Sequence, residues 1–143
     1  MTWTLALAAA VSAVCLAFAA AFALWAGGVA LPEGRRFGLA RHVARTRGAS
    51  SAPSPFMLGV LACVFAVAGL LPWGLALEPE AGRFGFVFPV LGLAFAFVFL
   101  SHGAGLGGMG QGPTFDRNDR RVYTPLAYAL AAGFLLLVGI WFA

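Results

Sequence analysis

Charge is the scarcest property of this chain. Nine arginines and five acidic residues are all that its 143 positions carry, and lysine is absent. Water-soluble domains are about a quarter charged and about half apolar, whereas 62 % of these residues are apolar. An ordinary soluble globule is therefore excluded. So is intrinsic disorder, because a chain this rich in Leu, Val, Ala and Phe collapses rather than staying solvated. What remains is a protein embedded in lipid.

Ionisable groups are missing where membrane chemistry would need them. No Asp, Glu, Lys, Arg or His falls in the central part of any long apolar stretch, where the polar atoms reduce to Ser12 and the thiols of Cys15 and Cys63. Proton relays, coupled cation carriers and voltage sensors rest on such groups at membrane depth, so pumping by this chain alone is not expected. The catalytic carboxylates of membrane peptidases, the paired cysteines of thiol oxidases and the intramembrane glutamate of small multidrug carriers have no counterpart. The two cysteines differ in expected depth by roughly 9 Å at a rise of 1.5 Å per residue, too far for a disulfide. Both read as small buried apolar residues, without the clustered ligands a metal needs. Ser101 beside His102 lacks an acid partner, so no triad forms. The segment 103–112 (GAGLGGMGQG) has the glycine density of a phosphate loop without its lysine-hydroxyl ending or a preceding strand, and reads as a linker.

Four stretches are long enough to cross a bilayer as helices: 5–31, 56–77, 84–101 and 125–143. The third alternates Phe84, Phe86 and Phe88 like a strand. A lone strand cannot leave its backbone groups unpaired in lipid, and the chain is too short in strand-length segments for a closed barrel, so a helix is expected. Ser54-Pro55 and Thr124-Pro125 each place a capping hydroxyl before a proline at the first helical position. The fold class is thus an all-α membrane protein, one transmembrane domain over 1–143. The segment from Met1 has no basic residue before its apolar run, and that run is too long for a secretory signal core, so it reads as a retained helix.

The arginines orient the bundle. Arg35, Arg36, Arg41, Arg45 and Arg47 lie between the first two spans and Arg117, Arg120 and Arg121 between the last two, with Arg83 alone between the second and third. The positive-inside rule then puts loops 32–54 and 102–124 in the cytoplasm and both termini outside. Trp3, Trp73 and Trp141 fall at the outer ends as interfacial anchors, Trp25 and Tyr123 near the inner ones. Residues 35–47 form a candidate surface helix whose arginines would contact anionic lipid headgroups or a partner's acidic surface. The mixed-charge run 114–121, pairing Asp116 with Arg120 at helical spacing, reads as a solvated surface.

Small residues mark expected helix-packing faces, since helices in lipid associate through close backbone approach. Ala9, Ala13, Ala17 and Ala21 recur every fourth residue in the first span. Gly59, Ala62, Ala66 and Gly69 follow in the second, Gly85, Gly92, Ala96 and Gly103 in the third, and Ala129 and Gly133 in the fourth. Packing within the bundle and packing against partner proteins both fit these stripes. Leucine is expected to be tolerated off the stripe, at Ala8 and Ala19, and not on it. Aligning Ser54 with Thr124 also matches Gly69 to Gly139, a weak hint of a parallel duplication.

The function these features favour is a small integral bundle protein of the cell membrane, multi-pass, acting as a structural or accessory subunit that packs against other membrane components or against itself. Two alternatives remain open. One is a homo-oligomeric pore or facilitator for a neutral solute. The other is a cofactor anchor, with His102 as a single axial haem ligand or a hydrogen-bond donor to a quinone; His42 lies in a loop, so the matched pair that a haem b needs is missing. Nucleic acid is not an expected partner.

Overall fold

Among the described residues, four apolar helices form the architecture. The computed structural model describes residues 2–29, 54–77, 85–104 and 119–143. The helices are α1 (Thr2–Ala26), α2 (Pro55–Leu77), α3 (Val87–Gly103) and α4 (Thr124–Trp141). Among the described residues there is no strand, so the two described members of the phenylalanine alternation do not extend the chain. Phe86 lies in a turn and Phe88 already sits in α3. Pro89 is the third residue of that helix, where its missing N–H is one that the first turn leaves unused.

Local chemistry explains the helix ends. α1 stops at Ala26, well short of the expected 31, because Gly28 turns to φ +83°. Its N–H reaches the carbonyl of Trp25, and the N–H of Val29 reaches that of Leu24. This glycine-based stop satisfies two carbonyls that the helix end would otherwise strand. Ser54 caps α2 as expected, its Oγ accepting from the N–H of Met57 at 3.1 Å. Thr124 does not cap α4. A wide π-type turn at Asp119–Tyr123 runs straight into that helix, and Tyr123 is itself helical. The upstream turn supplies the helical lead-in, so no side-chain cap is present. Pro125 crowds the carbonyl four residues before it, and a widened turn at that point relieves the crowding.

Cross-helix pairs fix an up-down-up-down bundle. Leu16 meets Gly69 and Phe22 meets Phe65, so α1 and α2 are antiparallel. Phe88 meets Gly74, and Val138 meets Gly92, which reverses each following helix in turn. The most intimate neighbours are α1 with α2 and α3 with α4, giving two helical hairpins side by side. The main core lies between them and includes Ala8, Val11, Leu71, Leu75, Leu130 and Phe134. A smaller cluster of Phe22, Trp25 and Leu58 sits between α1 and α2 at the end away from the termini.

Four glycines join the helices in a ring. A Cβ at Gly69 would lie 2.7 Å from Leu16 Cγ, and one at Gly92 would lie 2.6 Å from Val138 Cγ2. Gly133 receives Val11 in the same way, and Gly74 receives the ring of Phe88. Each neighbour inserts a side chain where only a hydrogen leaves room. From mid-depth to the opposite end the filler changes to aromatic rings. Phe18 and Phe22 each meet Phe65, which leads on to Phe99, Phe95 and Phe134, at centroid separations of 5.3 to 6.4 Å.

Three helical stretches are long and apolar enough to cross a membrane: Trp3–Ala26, Pro55–Leu77 and Arg121–Trp141. α3 is shorter at 17 residues, about 26 Å at 1.5 Å per residue against a hydrocarbon thickness of about 30 Å.

Candidate functional site

The outward faces are the natural place to look for function in a bundle whose described core is built from its own apolar side chains. α2 turns Phe56, Val60, Val64, Val67 and Leu70 outward, and α3 turns out Val90, Leu93, Phe97 and Val98. These are bulky groups of the kind that mix freely with lipid chains. α1 differs. Ala9, Ala10, Ala13, Ala17, Ala20 and Ala23 are all exposed, with Leu16 and Leu24 the bulky groups among them, so parts of its outer surface are backbone-close.

The alanine stripe therefore lies outside the seam that α1 makes with its own bundle. Ala9, Ala13 and Ala17 are exposed and only Ala21 is partly covered, whereas Ala8, Val11, Ser12, Cys15, Ala19 and Phe22 are buried. Ala8 and Ala19, expected to be free, belong to the core. Helix geometry gives the reason. Four-residue steps advance by about 400°, so the stripe drifts about 40° per step, while the true seam alternates steps of three and four and stays on one side.

The other small residues divide in the same way. Gly69 is buried against Leu16, while nothing stands within 4 Å of a Cβ at Gly59. Ala66 is half-buried. Gly133 lies in the core and Ala129 outside it. Gly139, the sequence match of Gly69, touches nothing comparable, so these two positions of the suggested repeat are not equivalent. Cys15 is buried but Cys63 is exposed, which corrects the expectation that both are buried, and neither is bonded to the other. Cys63 falls on the outward face of α2 with Val60, Val64 and Val67.

One tryptophan does not stand where interfacial anchors stand. Trp25 is only 5 % exposed and meets Phe22 edge to face, so it fills the core. Trp73 is exposed, and its indole N–H donates to Ser12 Oγ at 3.1 Å. Trp3 is exposed, as an anchor should be.

A polar centre joins α1 to α2. Ser12 is buried, and its hydroxyl donates to the carbonyl of Gly69 at 2.6 Å while accepting from Trp73. Between Gly69 and Trp73 lies the buried Pro72, inside the helix. Proline has no N–H to give the carbonyl four residues earlier, that of Ala68, and its ring disturbs the turn around Gly69. A hydroxyl from a neighbouring helix is one means by which a membrane helix satisfies such a turn. Neither Pro72 nor this bonding was apparent as a unit from the sequence, although Ser12 stood out as the lone mid-span hydroxyl.

His102 lies half-buried in the last turn of α3, where a basic group suits the helix end. Ser101 beside it donates to the carbonyl of Phe97 at 2.8 Å. Among the described residues no three His, Cys, Asp or Glu gather as a metal site. Arg35, Arg36, Arg41, Arg45, Arg47, Arg83, Arg117 and His42, with the pairing of Asp116 to Arg120 and the glycine segment from 105 onward, lie outside the described residues or their described side chains. No protein-family model, curated protein or solved structure matches the chain. Its class rests on the fold: an all-helical protein whose apolar helices are compatible with a membrane bundle.

Proposed function

We propose that this protein is a multi-pass component of the cell membrane that crosses four times, keeps both termini outside, and works as a structural or accessory subunit by packing against other membrane components. The observation that carries the reading is the contrast between outward faces. α2 and α3 present mostly Phe, Val and Leu to their surroundings, while α1 presents mostly alanine, with Leu16 and Leu24 the bulky groups among it, so that a partner helix can approach closely between them. The filled interior supports a packing role over passage of solute through a single bundle. The arginines of 35–47 would bind anionic headgroups on the cytoplasmic side, following the asymmetry of eight against one.

Purification from the native host into nanodiscs, with identification of co-purifying proteins and a visible spectrum, tests the role. Stable stoichiometric partners are expected. A pure homo-oligomer would favour the pore reading instead, and a Soret band would favour a haem held at His102. Reporter fusions at Ala143 and within 35–47 test the orientation, which an active cytoplasmic reporter at Ala143 would overturn.

A further inference from the structure

The hydroxyl of Ser12 is bonded on both sides of Pro72. It donates to Gly69, three residues before the proline, and accepts from Trp73, the residue after it. The same proline separates two close contacts of α2. Before it, Gly69 receives Leu16 of α1; after it, Gly74 receives Phe88 of α3. The longer part of α2 thus packs mainly on its own hairpin partner, with Phe65 alone of its rings reaching Phe99 of α3, and its last turn is held by α3 at Gly74 and by α1 through the Trp73 bond. Where a helix lacks one rung of its ladder, bending is least opposed.

We propose that Pro72 is a hinge at which the α1–α2 hairpin moves relative to the α3–α4 hairpin, and that the Ser12 hydroxyl is the latch holding it closed. Opening breaks the bond from Trp73 while Leu16 stays on Gly69 and Phe88 stays on Gly74. Those two glycine contacts stay closed, while the contacts that cross between the hairpins, Val11 on Gly133 and Phe65 on Phe99, are the ones that slide as the hinge opens. The inference goes beyond the subunit reading and needs no partner.

Hydrogen exchange of the full chain in phospholipid nanodiscs tests it. Ser12→Ala should speed exchange of the amides at 73–77 by about three- to fivefold, the worth of one such bond, and leave those at 58–68 unchanged. Trp73→Phe keeps the aromatic bulk, removes only the bond beyond the hinge, and should give the same local rise. Adding Pro72→Ala to either variant restores a continuous ladder and should suppress the rise. The proposal is overturned if exchange at 73–77 is unchanged in Trp73→Phe, if the rise spreads equally over 58–68 as general loosening would make it, or if it persists with alanine at 72. Should Ser12→Ala fail to fold, the Trp73→Phe pair decides the matter alone.

Discussion

Leu16 lies across Gly69 so closely that a side chain at that glycine has no room: a Cβ there would come within 2.8 Å of two leucine carbons and 3.3 Å of the Leu16 backbone nitrogen. Gly69→Ala should therefore destabilise the bundle by about 1–3 kcal/mol, the usual cost of overpacking. Gly59→Ala meets open space and should be neutral or stabilising by up to about 1 kcal/mol, since alanine is the better helix former. Thermal unfolding in detergent micelles measures both. Equal responses would mean that the α1–α2 seam is not as tight as described.

Phe65 touches Phe18, Phe22 and Phe99, and so ties the small cluster of the first hairpin to the main core. Removing its ring by Phe65→Ala should cost about 3 kcal/mol. Phe97→Ala, which deletes a ring that is 71 % exposed, should leave the unfolding midpoint nearly unchanged under the same conditions.

A leucine scan separates the two faces of α1. Ala8→Leu and Ala19→Leu push into the core and should each cost about 1–3 kcal/mol. Ala9→Leu, Ala13→Leu and Ala17→Leu should leave the stability of the isolated chain unchanged. If a partner helix lies on the alanine surface, these same three variants should lose it during purification, and retention of every partner by all three would remove the reason for placing it there.

The two Ser/Thr-Pro pairs should also behave differently. Ser54→Ala removes a hydroxyl that accepts from the Met57 N–H and should cost about 1 kcal/mol. Thr124→Ala removes no cap and should be close to neutral, because the chain arrives at α4 already wound. Unfolding measured side by side, with the variants ranked against the parent, checks the difference.

The class of fold was legible from composition, and the helices from run length, because a stretch of about twenty apolar residues has few other solutions in lipid. The faces were not. A seam is read from contrast between apolar and polar sides, and these helices are apolar all round. Alanine spacing therefore pointed to Ala9, Ala13 and Ala17, when the seam ran through Ala8, Cys15 and Ala19. Glycine proved informative only where a neighbour pressed on it, and nothing in the sequence distinguishes Gly69 from Gly59 without the partner helix. Trp25 looked like an anchor because it lies near the end of a span, yet Phe22 and Leu58 draw it inward. Thr124 looked like a cap because the π-type turn before it leaves no mark in residue types.

The pairing of helices into two hairpins bears on how the protein is made. Nearly all that α1 needs from α2, including the Gly69 contact, the Ser12 bonds and the rings of Phe18, Phe22 and Phe65, is present once the chain has been synthesised to Leu77. Nearly half of the sequence is still to come at that moment. Contacts between successive elements form early and quickly, since little chain must be closed to bring them together. The first hairpin can thus settle in the bilayer during translation and offer Val11, Phe65 and Gly74 as a finished template on which the second hairpin assembles.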